Sequence, residues 1–201
     1  MADFDTILGT NSLGDAIGDI QAMELRSVQP TVRTQSISGR QQVRSFSTQF
    51  YTARIVMPQL TQADLRRVYA FLVKQQGGFN TFTIAPHNLI QKSGTQSTSE
   101  DVNAGAVGAT SIALDSGTNK FKMGDMIKFS GHTKAYMITQ DQGGSTTINF
   151  EPPLVSAVGG SETVKSGTAF EMTVRLAGDI NTYNMGPDGF GTIEFDVVEA
   201  I

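Results

Sequence analysis

MPQLTQADLRRVYAFLVKQQGGFNTFTIAP, residues 57–86, is the stretch that decides the fold. Thr61 stands where an N-cap hydroxyl accepts from an otherwise unpaired backbone N–H. Asp64, three residues on, occupies the reciprocal position of a capping box, and Leu60 and Leu65 those of a hydrophobic staple. Leu65, Val68, Tyr69 and Leu72 recur at i, i+3, i+4 and i+7 and make one apolar face. Phe71 and Val73 broaden it, while Arg66, Arg67, Lys74 and Gln75 form the wet side. Gly77 or Gly78 supplies a left-handed stop. The pattern predicts a helix over about residues 61–76. Strand-like runs flank it. In QQVRSFSTQFYTARIVM (41–57), Tyr51, Ala53, Ile55 and Met57 alternate with Thr52 and Arg54. Phe46 and Phe50 fall on the other parity, which predicts a bulge or a strand buried on both faces. FNTFTIAP (79–86) resumes strand character.

The rest of the chain reads as β. MELRSVQ (23–29) and TVRTQSIS (31–38) alternate weakly. Residues 91–106 are small and polar and read as a linker. Four short strands follow at roughly ten-residue spacing, TSIAL (110–114), DMIKFSG (125–131), KAYMITQD (134–141) and TTINFEPPL (146–154). VSAVGGSETVKSG (155–167) reads as an exit loop. TAFEMTVRLAG (168–178) and the run TIEFDVVEAI (192–201) return to alternation, with Ile193, Phe195 and Val197 on one face and Glu194 and Asp196 on the other. The expected organisation is a discontinuous β unit, residues 1–90 plus 167–201, interrupted by a small β-barrel at 91–166. Within the first 24 residues only NSLGDAIGD (11–19) suggests a helical turn.

With 39% hydrophobic residues among 201, a buried core is expected. No apolar run approaches the roughly 18 residues that a membrane helix needs, so no membrane partner is expected. The acidic start does not read as a signal peptide. Cysteine is absent, which removes disulfides and thiolate metal sites and leaves the compartment open. The net charge of −4 is unevenly spread: −5 over residues 1–24, +8 over 25–99 and −7 over 100–201. Seven of the eight arginines lie between Arg26 and Arg67. Solvated faces account for such a partition. So does contact between one copy's basic middle and another's acidic parts. The second reading makes Arg40, Arg44, Arg54, Arg66, Arg67, Glu194 and Asp196 candidate subunit-interface residues.

Little points to catalysis. The two histidines, His87 and His132, have no partner at metal-ligand spacing, and nucleophile-elbow, Walker and dinucleotide patterns are absent. No catalytic, cofactor-binding or metal residue is assigned, and no cofactor is expected. A single-stranded nucleic-acid binder is an alternative, since on one continuous strand Arg40, Arg44 and Arg54 would share a face with Phe46 and Phe50; the acidic net charge argues against it. A carbohydrate- or receptor-binding module is another, weakened by the lack of tryptophan and by only four tyrosines.

FYTARIVMPQLTQADLRRVYAFLVKQQGGFNTFTIAP (50–86), GATSIAL (108–114), MGDMIKFSGHTKAYMITQD (123–141), TINFEPPL (147–154) and IEFDVVEAI (193–201) together resemble, in order and spacing, the distal tail proteins of long-tailed bacteriophages. The likeness covers roughly residues 40–201; the tryptophan that relatives often carry near the proline step is missing. The resemblance implies a mainly β fold, a tail-tube-like β-sandwich with one flanking α-helix and an inserted small barrel similar to an oligosaccharide/oligonucleotide-binding fold. It also implies a non-enzymatic virion protein forming a ring, suspected to be homo-hexameric, at the distal end of the tail. Its partners would be the tail tube protein and the tip, hub and fibre proteins, with DNA only as passing cargo and assembly in the host cytoplasm.

Overall fold

A computed structural model describes residues 2–3, 20–46, 48–85, 92–179 and 181–201. The helical turn expected within 11–19 and His87 lie outside them. Along the chain, β1 (Ala2–Asp3), β2 (Ala22–Val28), β3 (Thr31–Gln35), β4 (Gln41–Ser45), β5 (Phe50–Val56) and β6 (Leu60–Thr61) precede the helix α1 (Gln62–Lys74). Then come β7 (Phe82–Ile84), β8 (Ser99–Asp101), β9 (Ser111–Ala113), β10 (Met126–Phe129), β11 (Ala135–Ile138), β12 (Thr147–Glu151), β13 (Thr163–Ser166), β14 (Met172–Leu176), β15 (Tyr183–Met185) and β16 (Phe190–Glu199). The architecture is mainly β, and α1 is the one α-helix among the described residues.

Residues far apart in sequence share one eight-stranded sheet, ordered β1-β7-β14-β16-β5-β2, with β6 and β15 also paired to β16. Strand β16 organises it. Its first residues pair with β6 and β15, and its later ones with β5 and β14, so the sheet curls around it into a half-barrel. Strict alternation makes this possible: Ile193, Phe195 and Val197 are buried, and Glu194 and Asp196 exposed. Tyr51, Ala53, Ile55 and Met57 meet them on the same inner face.

The second layer over that face is α1. Leu65, Val68, Phe71 and Leu72 are buried against the sheet together with Leu60, and Tyr69 packs at the margin, edge-on to Tyr183 at 4.8 Å. Phe71 meets Phe82 edge-on at 5.3 Å. Thr61 Oγ1 accepts from the Asp64 N–H at 3.3 Å and donates to Asp64 Oδ2 at 2.7 Å, so the carboxylate closes on the cap hydroxyl itself. The helix ends through Gln76 and Gly77, both left-handed at φ 55° and 64°. The positive φ of Gly77 favours glycine, and a Cβ there would also lie 2.6 Å from Asp179 Oδ1 and oblige that side chain to move.

The run 41–57 is not one strand. Strand β4 pairs with β3 in a separate two-stranded sheet, and the chain leaves it before β5 begins. Phe46 is exposed rather than buried on a second face. The arginine–aromatic face that a continuous strand would carry is therefore divided between two sheets, with Arg40, Arg44 and Phe46 on or beside the hairpin and Phe50 and Arg54 on β5.

Between β7 and β14, six strands in the order β8-β13-β10-β11-β12-β9 pair antiparallel throughout. The Val102–Leu114 bridge, with Asn103 N–H to Ala113 O at 2.9 Å and Asp115 N–H to Asp101 O at 3.0 Å, joins the first strand to the last and closes a barrel. Phe129, Tyr136 and Phe150 fill it, each edge-on to the other two at 5.4–5.6 Å. Two of the six strands lie where the sequence reads as linker and exit loop. Strand β8 falls within 91–106 and β13 within 155–167, each pairing through residues that are largely polar.

Truncating the helix face tests this layering. Leu72→Ala should lower unfolding free energy by about 2–5 kcal/mol, and loss of the cap in Thr61→Ala by about 1 kcal/mol; urea denaturation followed by circular dichroism measures both.

Candidate subunit interface

Two surfaces and one buried junction concentrate the charged side chains. The first surface is the β3–β4 hairpin. All ten of its strand residues are exposed. So are Val32, Val43, Phe46 and the tip residue Ile37. The tip closes with Ser36 N–H to Arg40 O at 2.9 Å and with Gly39 at φ 80°. From Thr31 to Phe46 the chain carries Arg33, Arg40 and Arg44 and no acid. Such a hairpin is a thin basic arm with aliphatic groups along it.

The second surface is the outer face of the sheet. Register places Glu24, Arg54 and Asp196 side by side on β2, β5 and β16. Arg54 reaches diagonally to Glu194 Oε2, at 2.6 Å from Nη2 and 3.0 Å from Nε. That bond to Glu194 holds the guanidinium above its ordinary pKa. Arg26 pairs with Glu24 at 2.8 Å. Three of the sequence-assigned interface residues, Arg54, Glu194 and Asp196, are therefore neighbours that balance one another within the subunit. Arg66 and Arg67 lie on the exposed side of α1, away from this face, and Arg40 and Arg44 on the hairpin.

The junction is the feature the sequence reading missed. Lys134, ahead of β11, and Glu199, at the end of β16, have fully buried side chains in direct contact. Glu199 Oε1 also accepts from the Ala135 N–H at 2.6 Å and Oε2 from the Tyr51 N–H at 3.0 Å. The Lys134 ammonium lies 5.0 Å from the centre of the Tyr51 ring. Burial pushes the lysine below its ordinary pKa, and Glu199 opposes that shift. Burial, reinforced by the charge of Glu199, raises the Tyr51 phenol to about 12. One signal was available: Glu199 continues the parity of Ile193, Phe195 and Val197, and a carboxylate on a core stripe requires a partner.

Other polar clusters are structural. Buried Asp125 accepts from the Ser93 N–H at 2.6 Å, the Gln96 amide at 2.8 Å and the Lys122 N–H at 3.0 Å. It thereby ties down the stretch expected to be a linker. Glu100 accepts from Lys120 Nζ at 2.6 Å and the Ser97 N–H at 2.7 Å. His132 is buried, its Nδ1 3.1 Å from the Tyr136 hydroxyl and its Nε2 3.2 Å from Ser156 Oγ. Among the described residues no group of three or more His, Asp or Glu side chains is placed to hold a metal ion.

The Glu100 cluster carries a pH signature. Burial alone would raise its pKa, but the Lys120 ammonium and the Ser97 N–H outweigh burial and hold it below the ordinary glutamate value. A carboxylate depressed on folding contributes stability above its unfolded value and loses it as pH falls through the folded one. Unfolding midpoints measured between pH 6 and 3 should fall more steeply for this chain than for Glu100→Gln.

Residues 88–167, the barrel with its entry and exit, match the family model described as distal tail protein pb9, B domain. No curated protein sequence matches the chain. This match on the barrel and the likeness of the segments on either side of it point the same way: together they support a distal tail protein of bacteriophages, a structural component of the virion tail that associates with other tail proteins.

Proposed function

We propose that this protein forms a closed ring at the distal end of the phage tail and joins the tail tube to the tip complex. The division proposed is a hub, residues 1–90 plus 167–201, that makes the ring, with the barrel at 91–166 inserted into it. The observation that carries the reading is the β3–β4 arm. A two-stranded hairpin is marginal in water on its own. This one exposes Val32, Ile37, Val43 and Phe46 beside three arginines. It has the composition of a surface completed by another chain.

A ring needs heterologous contacts, in which one surface of a copy meets a different surface of the next. The arm, with Arg40 and Arg44, and the outer side of α1, with Arg66 and Arg67, are both basic and do not suit each other. Each suits an acidic surface on a neighbour. The outer sheet face, where Arg54 is already balanced by Glu194 and flanked by Asp196, offers DNA little to adhere to, which suits a lumen through which DNA passes. Sixfold symmetry is what a tail tube would require. The tube protein above and the tip, hub and fibre proteins below would be the partners, with assembly completed in the host cytoplasm.

Charge reversal on the arm separates assembly from folding. Arg40→Glu with Arg44→Glu should weaken self-association by an order of magnitude or more, roughly 1.4 kcal/mol or above, with the monomer's melting temperature unchanged. Arg54→Ala, which breaks an exposed, solvent-screened pair within the subunit, should change neither by much. Native mass spectrometry and analytical ultracentrifugation supply the readouts, and imaging of the virion locates the chain. A chain that remains monomeric at high concentration and is absent from the tail would overturn the ring.

A further inference from the structure

We propose that the barrel is docked on the hub as part of one rigid body, and that the Lys134–Glu199 pair is the latch that sets its angle. Inserted units are commonly joined by exposed linkers and move relative to their hosts. Here the described part of the entry segment is bonded to the barrel itself, and the exit runs straight into the hub. At the entry, Asp125 holds Ser93 and Gln96, and Thr95 N–H bonds Lys120 O at 2.9 Å. At the exit, β13 runs through the short turn Gly167–Ala169 directly into Phe170, which is already buried in the hub core. A Cβ on Gly167 would come within 3.2 Å of the Lys92 side chain, so the entry segment and the exit turn lie against each other.

The contact face is the outside of the β10–β11 hairpin. Alternation gives the two strands two buried faces. Ile127, Phe129, Tyr136 and Ile138 point into the barrel core, while Met126 and Ala135 are buried in the hub core and Met137 packs against it. Lys128 Nζ donates to Thr173 Oγ1 on β14 at 3.0 Å. At the centre Glu199, a hub residue, is bonded by Lys134 and Ala135 from the barrel and by Tyr51 from the hub. Apolar contact makes the docking favourable in many orientations, since it is non-directional. The carboxylate selects one, because any rotation that separates it from Lys134 leaves a buried charge unpaired.

Hydrogen exchange and calorimetry on the full chain test this. In the parent protein one heat-absorption peak is expected. The Tyr51 and Ala135 amides should exchange as slowly as the reference amides of Met57 in the hub and Phe150 in the barrel. Two separate peaks, or Tyr51 and Ala135 exchanging at loop rates, would overturn the docked arrangement. Lys134→Ala should raise exchange at those two amides by on the order of 100-fold while Phe150 keeps its protection; no rise would refute the latch. If that variant does not fold, the double variant Lys134→Met with Glu199→Gln decides. It should fold and melt in a single peak with Met57 and Phe150 protected, because no buried charge is left unpaired and the glutamine side-chain oxygen still accepts a backbone N–H, and a double variant as defective as the single one would refute the assignment.

Discussion

A carboxylate with no access to water is among the most demanding groups a fold can contain, and Glu199 meets that demand with donors from two separately built units. Neither unit could satisfy it alone. The hub supplies one backbone N–H, from Tyr51. The barrel supplies an ammonium and a second N–H on consecutive residues, Lys134 and Ala135. Removing a charge from water costs several kcal/mol before its partners compensate. The geometry that provides all three donors at once is therefore strongly selected over its alternatives. The relative placement of the two units follows from this single site more than from the apolar surface around it.

Strand β16 carries the consequences through the hub. Over ten residues it presents an inner stripe that seats α1 and the β5 stripe, an outer row that pairs Glu194 with Arg54, and at its end the junction with the barrel. Strand β5 runs beside it and repeats the arrangement. Its Tyr51 amide reaches Glu199, and its Arg54 side chain reaches Glu194. One ladder thus joins the charged outer face to the barrel mount. In the ring proposed above, a component between tube and tip would have to transmit load without deforming, and a continuous antiparallel ladder anchored at one end by a buried ion pair would suit that role.

How much of this the sequence disclosed depended on whether each element left a periodic signal. The helix was legible to within two residues at each end because its cap, staple and apolar face are all local. Strands β5, β9 to β12, β14 and β16 were legible because their alternation is carried by large apolar residues. Strands β8 and β13 were not. Their pairing runs through Ser99, Glu100, Thr163 and Lys165, residues with no apolar alternation, and Glu100 is buried by bonds from the Lys120 ammonium and the Ser97 backbone N–H that no periodicity announces. The break after β4 was invisible for another reason. The change of parity at Phe46 and Phe50 fits a bulge or a strand buried on both faces as well as it fits a break, and nothing local shows that β4 finds its partner in β3 and not in the hub. Of the candidate interface residues, sequence could assign Arg40 and Arg44 to a basic segment, but only pairing shows that they stand on an arm, and that Arg54 is neutralised at home.

The charge partition along the chain acquires a physical meaning in this arrangement. The basic segment divides among the arm, the outer side of α1 and the sheet face. In the last of these its charge is cancelled by Glu194, Asp196 and Glu24. Charges that are cancelled within a subunit contribute little to steering other molecules, whereas those on an exposed arm act over the roughly 8–10 Å allowed by salt screening. The unbalanced arginines are therefore the informative ones. Those on the arm, Arg33, Arg40 and Arg44, lie on a hairpin that has little core of its own, so that attraction to an acidic neighbour and burial of Val32, Val43 and Phe46 would occur in the same contact. Attraction selects the surface; burial holds it. A hairpin of this length with either property alone would be a poor clasp, since charge without burial is screened and burial without charge is unselective.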